Sequence, residues 1–306
     1  MNNSPQQVPF AFEYFTAGTS ISPIILEKMR LLLLARMEKD YAYHTQVIVT
    51  GDLQKTVTQR TSNSPYTTKR GSGDVAAVTL FGQGKVDIVF PLRYVQPVLE
   101  DILLHNVAHE AVHANLKLSG DIIANVNARK KRPTIAATFA DLAAYLIEEY
   151  LAEYIAQEIP APDWDVTSEE MVSVVEHLLD ELATMPSVKT SQEAEQAASI
   201  AITALRVFWK KLIYLVAQLH TEDALTYELP DDIELLDEWQ FYIEPYWDDF
   251  LVTLQALPKS QDIDIEPLDL LIEKLASLLQ DWAGFIGTTF KDNPDGSWFF
   301  SRSIFL

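Results

Sequence analysis

The sequence predicts an α+β fold: a small antiparallel sheet with site-bearing helices, followed by a mainly helical, acidic second half. Three observations carry this. Short β-branched and aromatic runs bounded by glycine occur only in the first third: YHTQVIVTG (43–51), AAVTLFG (76–82) and VDIVF (86–90). Beyond Tyr94 the apolar residues recur at helical spacing over long segments. Charge divides the same way, with 15 Lys+Arg against 11 Asp+Glu in residues 1–135 and 8 against 33 in residues 136–306.

Taken in order, Ser22-Pro23 reads as an N-cap with proline at the first helical position, opening an apolar helix that runs to about Asp40. Residues 43–51 form the first strand. The stretch from Gln54 to Asp74 is rich in Ser, Thr and basic residues and reads as a surface loop or ragged hairpin. Gly82-Gln83-Gly84-Lys85 joins the next two strands as a hairpin. A helix then runs from about Tyr94 to a C-cap at Gly120, and 121–133 is a connection with a basic cluster, Arg129 to Arg132. A long helix spans about Ala136 to Ile159 and ends at Pro160. Further helices are expected over Thr167–Thr184, Gln192–Leu219, Leu235–Leu257 and Pro267–Phe285, with a turn and a last strand or apolar tail after Asn293. The connector PAPDW suggests one boundary, dividing a core of 1–160 from an acidic helical extension of 161–306.

Composition excludes several functions. The net charge of -21 argues against nucleic-acid binding. The chain has no cysteine, so disulfides, thiolate nucleophiles and Cys-based zinc sites are ruled out. No secretory signal or membrane span is visible, and Lys210-Lys211 interrupt the longest apolar run, so the expected compartment is the cytoplasm. No glycine-rich phosphate loop or G-x-S-x-G elbow is present.

The chemistry concentrates in HNVAHEAVHA, residues 105–114. His109 and His113 are four apart, so on a helix both reach one metal ion. Glu110 stands beside them, where its carboxylate can take a proton from a water activated by that ion. This is the HExxH pattern, here directly after a strand and within a helix. A third ligand is needed. A histidine six residues on, with a glycine between, is excluded because those positions hold Ser119 and Leu116. The next helix offers EEYLAEY, in which Glu149 is the preferred ligand and Glu153, one turn on, the residue that orients a ligand histidine. Glu153 and Glu148 remain alternative ligands. His105 shares the histidine face but is about 12 Å from His113 along the axis, so it reads as a core or rim histidine, with a transition-state donor as the alternative. Tyr145, His177 and His220 are candidate oxyanion donors.

HEAVH followed by E-x-x-A-E resembles the gluzincin peptidases, and the order of helix, strands, HExxH helix and glutamate helix resembles the compact core of minigluzincins and of ImmA/IrrE-type bacterial regulatory peptidases. The resemblance covers about residues 23–159. It implies a Zn2+ cofactor held by His109, His113 and Glu149, with Glu110 as base, and a zinc endopeptidase rather than an exopeptidase. A selective or regulatory enzyme cutting a peptide or protein is the expectation. Val86–Phe90 would be the sheet edge that holds the substrate by strand addition. The acidic half would wall the cleft or bind a basic protein partner. The competing reading is a non-catalytic interaction protein with a structural or vestigial metal site.

Overall fold

A computed structural model describes residues 10–15, 20–61, 68–70, 73–159, 166–185, 190–220, 229–254, 256–261 and 263–302. Contacts group the chain into two units, one of Met1–Ile122 with Ala152–Trp164 and one of Ile123–Leu151 with Asp165–Leu306. The connector at 160–165, where the sequence suggests a boundary, lies outside the described residues.

The first unit is built on a four-stranded mixed sheet. Strands β1 (Ala11–Phe15), β2 (Thr45–Thr50), β5 (Val78–Gly82) and β6 (Lys85–Pro91) stand in the order β1-β2-β6-β5. β1 and β6 run parallel to β2, and only β5 is antiparallel to β6. The expected all-antiparallel sheet is therefore corrected. Parallel neighbours need a crossover, and two helices supply it: α1 (Pro23–Arg36) between β1 and β2, and α2 (Leu53–Thr61) between β2 and β6. Successive strand residues face opposite sides. Val47, Val49, Ile88 and Phe90 pack with Ile25, Met29 and Leu33 of α1. Ile48 and Val89 pack with Leu53 and Val57 of α2. Burial on both faces explains why VIV reads as an unbroken apolar run.

α2 corrects the reading of 54–61 as loop. Its Thr-rich sequence is a poor helix former. Asp52 caps it by accepting from the Lys55 amide (3.0 Å), and Leu53 and Val57, one turn apart, bury against the sheet. Residues 62–67 and 71–72 of the same stretch lie outside the described residues, and β3 (Lys69–Arg70) pairs with β4 (Gly73–Asp74). The β5–β6 hairpin forms as expected, with Gln83 and Gly84 both at positive φ, as a two-residue turn of this hand requires.

Helix α3 (Glu100–Leu118) starts later than Tyr94. Pro97 lacks an amide hydrogen and crowds the preceding turn, so two short 3-10 turns, Leu92–Tyr94 and Pro97–Leu99, come first. Gly120, at φ 103°, ends the helix region, and the Asp121 amide bonds back to the Leu116 carbonyl at 2.7 Å.

Among its described residues, the second unit is helical apart from one hairpin. After α4 (Ile122–Ala128), a helix within the expected connection, come α5 (Thr134–Ala156), α6 (Ser168–Thr184) and α7 (Ser191–Leu219). α6 and α7 each open on a capping box, Thr167 with Glu170 and Thr190 with Glu193. The single helix expected over 235–257 is two, α9 (Asp237–Tyr242) and α10 (Glu244–Leu254), with a short α8 (Asp231–Glu234) before them. Pro245 cannot continue a preceding helix, which separates α9 from α10. α11 (Ile265–Phe285) leads into the antiparallel hairpin of β7 (Thr288–Asp292) and β8 (Trp298–Arg302). An aromatic cluster anchors this unit, with Phe208 stacked on Trp282 at 4.8 Å and Trp209 against Phe250 at 4.5 Å. Among the described residues, no helix is long and apolar enough to cross a membrane.

Candidate metal centre

Helix α3 sorts its residues by face. Leu103, Val107, Ala111 and Ala114 enter the core beneath the sheet, which leaves His105, His109 and His113 aligned at four-residue intervals on another face. His105 and His109 are buried and His113 is half-buried. α5 supplies carboxylates at the same interval, Glu149 and Glu153, both buried. α5 runs unbroken from Thr134 to Ala156, so Glu149 sits one turn before Glu153.

Glu153 is fully enclosed and bonds two histidines. His109 donates from Nδ1 to Glu153 Oε2 at 3.1 Å, and His105 Nε2 meets Oε1 at 3.1 Å. Burial alone would raise the Glu153 pKa, but the hydrogen bonds from His105 and His109 hold it at about 2. The carboxylate is an acceptor only, so the His109 proton lies on Nδ1 and the lone pair on Nε2 is exposed toward His113. His105 is fixed further by donating from Nδ1 to the Ile159 carbonyl at 2.9 Å. Both ring nitrogens of His105 are thus engaged inside the core.

The ligand atoms of His109, His113 and Glu149 all lie within 4.8 Å of one another, and these are the three residues that could hold a metal ion among those described. The Nε2 atoms of His109 and His113 are 3.1 Å apart. Two nitrogens on one tetrahedral zinc, each at ~2.05 Å, stand roughly 3.3 Å apart, so the two histidine nitrogens are spaced as ligands of one such ion would be. Glu148 is half-buried and outside the set, while Glu153 bonds the ring nitrogen of His109 that faces away from His113.

Glu110, the residue after His109, is buried, and the Thr79 hydroxyl of β5 donates to its Oε2 at 2.6 Å. That contact corrects the expected sheet edge: Val86–Phe90 lies inside the sheet, paired on both sides, and β5 is the edge strand that meets α3. The hairpin signal placed both strands but could not say which was outermost.

Two residues at Glu149 were missed from sequence. Tyr214 of α7 donates to Glu149 Oε2 at 2.8 Å, and the Lys210 ammonium is 2.8 Å from the same oxygen. Their four-residue spacing was visible, but nothing local ties them to Glu149, 61 residues or more away. Tyr145, one turn before Glu149, lies under the Arg206 guanidinium at 3.5 Å and 6.0 Å from the Lys210 ammonium. His220 is buried, and its Nδ1 accepts from the Tyr150 hydroxyl. Burial, with the positive charge of Lys259, lowers its pKa to about 4. His177 is half-buried on α6. No family model, curated protein or solved structure matches this chain.

Proposed function

We propose that this chain is a zinc-dependent metallopeptidase of the gluzincin type, a selective endopeptidase acting on a peptide or protein. One observation carries the reading: His109, His113 and Glu149 converge within bonding range of a common ion while Glu110, the next residue after the first ligand, is held by Thr79. A bound zinc ion supplies a Lewis acid for the scissile carbonyl and makes water nucleophilic near neutral pH. The chain's own groups then divide the work. Glu110 takes the proton of the attacking water and returns it to the leaving amine. Thr79 fixes the Glu110 oxygen that does this. Glu153 fixes the His109 tautomer and ring orientation, which keeps Nε2 as the donor.

The peptide as substrate class is supported by β5. It closes the sheet on the side of Glu110, and no described strand pairs with its outer side. An extended chain laid along it would pass Thr79 and reach the catalytic carboxylate.

The test is the zinc content of protein purified without chelator or metal-affinity resin, read by elemental mass spectrometry. One zinc per chain is expected, lost in His113→Ala and Glu149→Ala, with cleavage of a peptide library that stops in both. Full-length protein that takes up no zinc even when it is added back would refute the proposal.

A further inference from the structure

The groups that hold Glu149 from α7 differ in charge. Glu149 Oε2 receives a hydrogen bond from the neutral Tyr214 hydroxyl and an ion pair from the Lys210 ammonium, each at 2.8 Å. Lys210 and Tyr214 are one turn apart on α7, and Arg206, one turn earlier, covers Tyr145, one turn before Glu149. A row of α7 residues thus tracks a row of α5 residues, and the carboxylate at its centre is 6% exposed at the side chain. Tyr214 is buried with it, whereas Lys210 keeps a quarter of its side chain exposed.

We infer that α7 sets the metal affinity of the site through Glu149, with Tyr214 positioning the carboxylate for the ion and Lys210 competing with the ion for it. This rests on Glu149 being the third ligand. A phenol hydroxyl carries no net charge, so it fixes the direction of the carboxylate without opposing a cation. Such outer partners of a ligand typically contribute about 10- to 100-fold in metal affinity. An ammonium beside the same oxygen neutralises the ligand's charge and repels a divalent ion bound to it. At a separation of about 6 Å, that repulsion is on the order of tenfold in affinity even in a water-like dielectric. The two residues therefore act with opposite sign. A packing role for α7 would give both substitutions the same sign.

The experiment measures the zinc affinity of the full-length protein by competition with a chromophoric chelator, using zinc alone as the probe. Wild type is compared with Tyr214→Phe, Lys210→Met, Lys210→Arg and Glu149→Ala, each checked for folding by circular dichroism. Tyr214→Phe is expected to bind zinc about 10-fold more weakly or worse. Lys210→Met is expected to bind about 10-fold more tightly, and Lys210→Arg, which keeps the charge, to stay near wild type. Wild-type affinity in Tyr214→Phe, or weakened affinity in Lys210→Met, would overturn the inference. If the wild type binds no zinc, the metallopeptidase reading itself fails, an outcome separate from the other two.

Discussion

Replacing Glu153 with Gln tests the centre at the residue that touches most of it. The side chain has no exposed surface and bonds both His105 and His109 at 3.1 Å. Gln keeps the size but removes the charge, and its amide nitrogen turns a donor toward one of two histidine nitrogens. Two hydrogen bonds to a charged group are worth about 1.5–3 kcal/mol each, and the relieved burial of a carboxylate offsets part of that, so a net loss of about 2–4 kcal/mol follows. For a chain of this size that is a fall in Tm of roughly 3–6 °C. His109 also loses the partner that sets its tautomer, so zinc affinity should drop about 10- to 100-fold. The assays are thermal unfolding followed by fluorescence and zinc competition with a chelator. Gln157→Ala serves as control, because Gln157 reaches Glu153 through one bond at 3.2 Å from a half-buried position. If Glu153→Gln melts and binds zinc like the control, the assignment of Glu153 as the residue that orients His109 is wrong.

Glu110→Gln should keep one zinc per chain while peptide cleavage falls about 10²- to 10⁴-fold; cleavage within a few-fold of wild type would remove Glu110 from the mechanism. Zinc should also stabilise the fold by about 2.7 kcal/mol at a free concentration of 100 Kd, a shift in Tm that a chelator reverses and that Glu149→Ala does not show. His220 makes a pH prediction. Its folded pKa, about 4, lies below the unbound value of 6.5, so its contribution is complete above pH 6.5 and is lost as pH falls through 4. The contribution is at most about 3 kcal/mol. Tm measured from pH 7 to 4 should fall less steeply in His220→Asn, which can still accept from Tyr150, and parallel curves would count against the assignment.

What the sequence displayed and what it concealed divide by range. The four-residue spacings of His109/His113 and Glu149/Glu153 are local, and a helix converts them to a common face without help from the rest of the chain. The starts of α6 and α7 were legible within a residue or two because each carries its own capping box. Sheet order was not, since β1 pairs with β2 and β2 with β6 across intervening helices, and nothing within a strand encodes its neighbour. α2 was hidden for the opposite reason: its local propensity argues against a helix, and burial of Leu53 and Val57 overrides it. The choice among Glu148, Glu149 and Glu153 depends on how α5 is rotated against α3, a tertiary quantity.

The adjacent lysines of α7 show how much that tertiary context decides. In the sequence, Lys210 and Lys211 are a pair of charges interrupting an apolar run. Neighbours on a helix point about 100° apart, and each finds a different carboxylate: Lys210 pairs with Glu149, and Lys211 with Glu170 of α6 at 3.0 Å. The two pairs have similar lengths but different surroundings. Glu170 is 46% exposed, so water replaces Lys211 readily and Lys211→Met should cost less than about 1 kcal/mol. Glu149 is 6% exposed, so Lys210→Met removes a counter-charge from a buried carboxylate. The cost for a fully buried pair is about 3–5 kcal/mol; with Lys210 a quarter exposed, about 2 kcal/mol is expected in chelator-treated protein. Saturating zinc supplies a new cation to the same carboxylate, so it should raise the Tm of Lys210→Met more than that of wild type, while leaving the Lys211→Met difference unchanged. Equal losses in the two variants, or a zinc response in Lys210→Met no larger than that of wild type, would mean that the carboxylate of Glu149 is not shared between Lys210 and the metal.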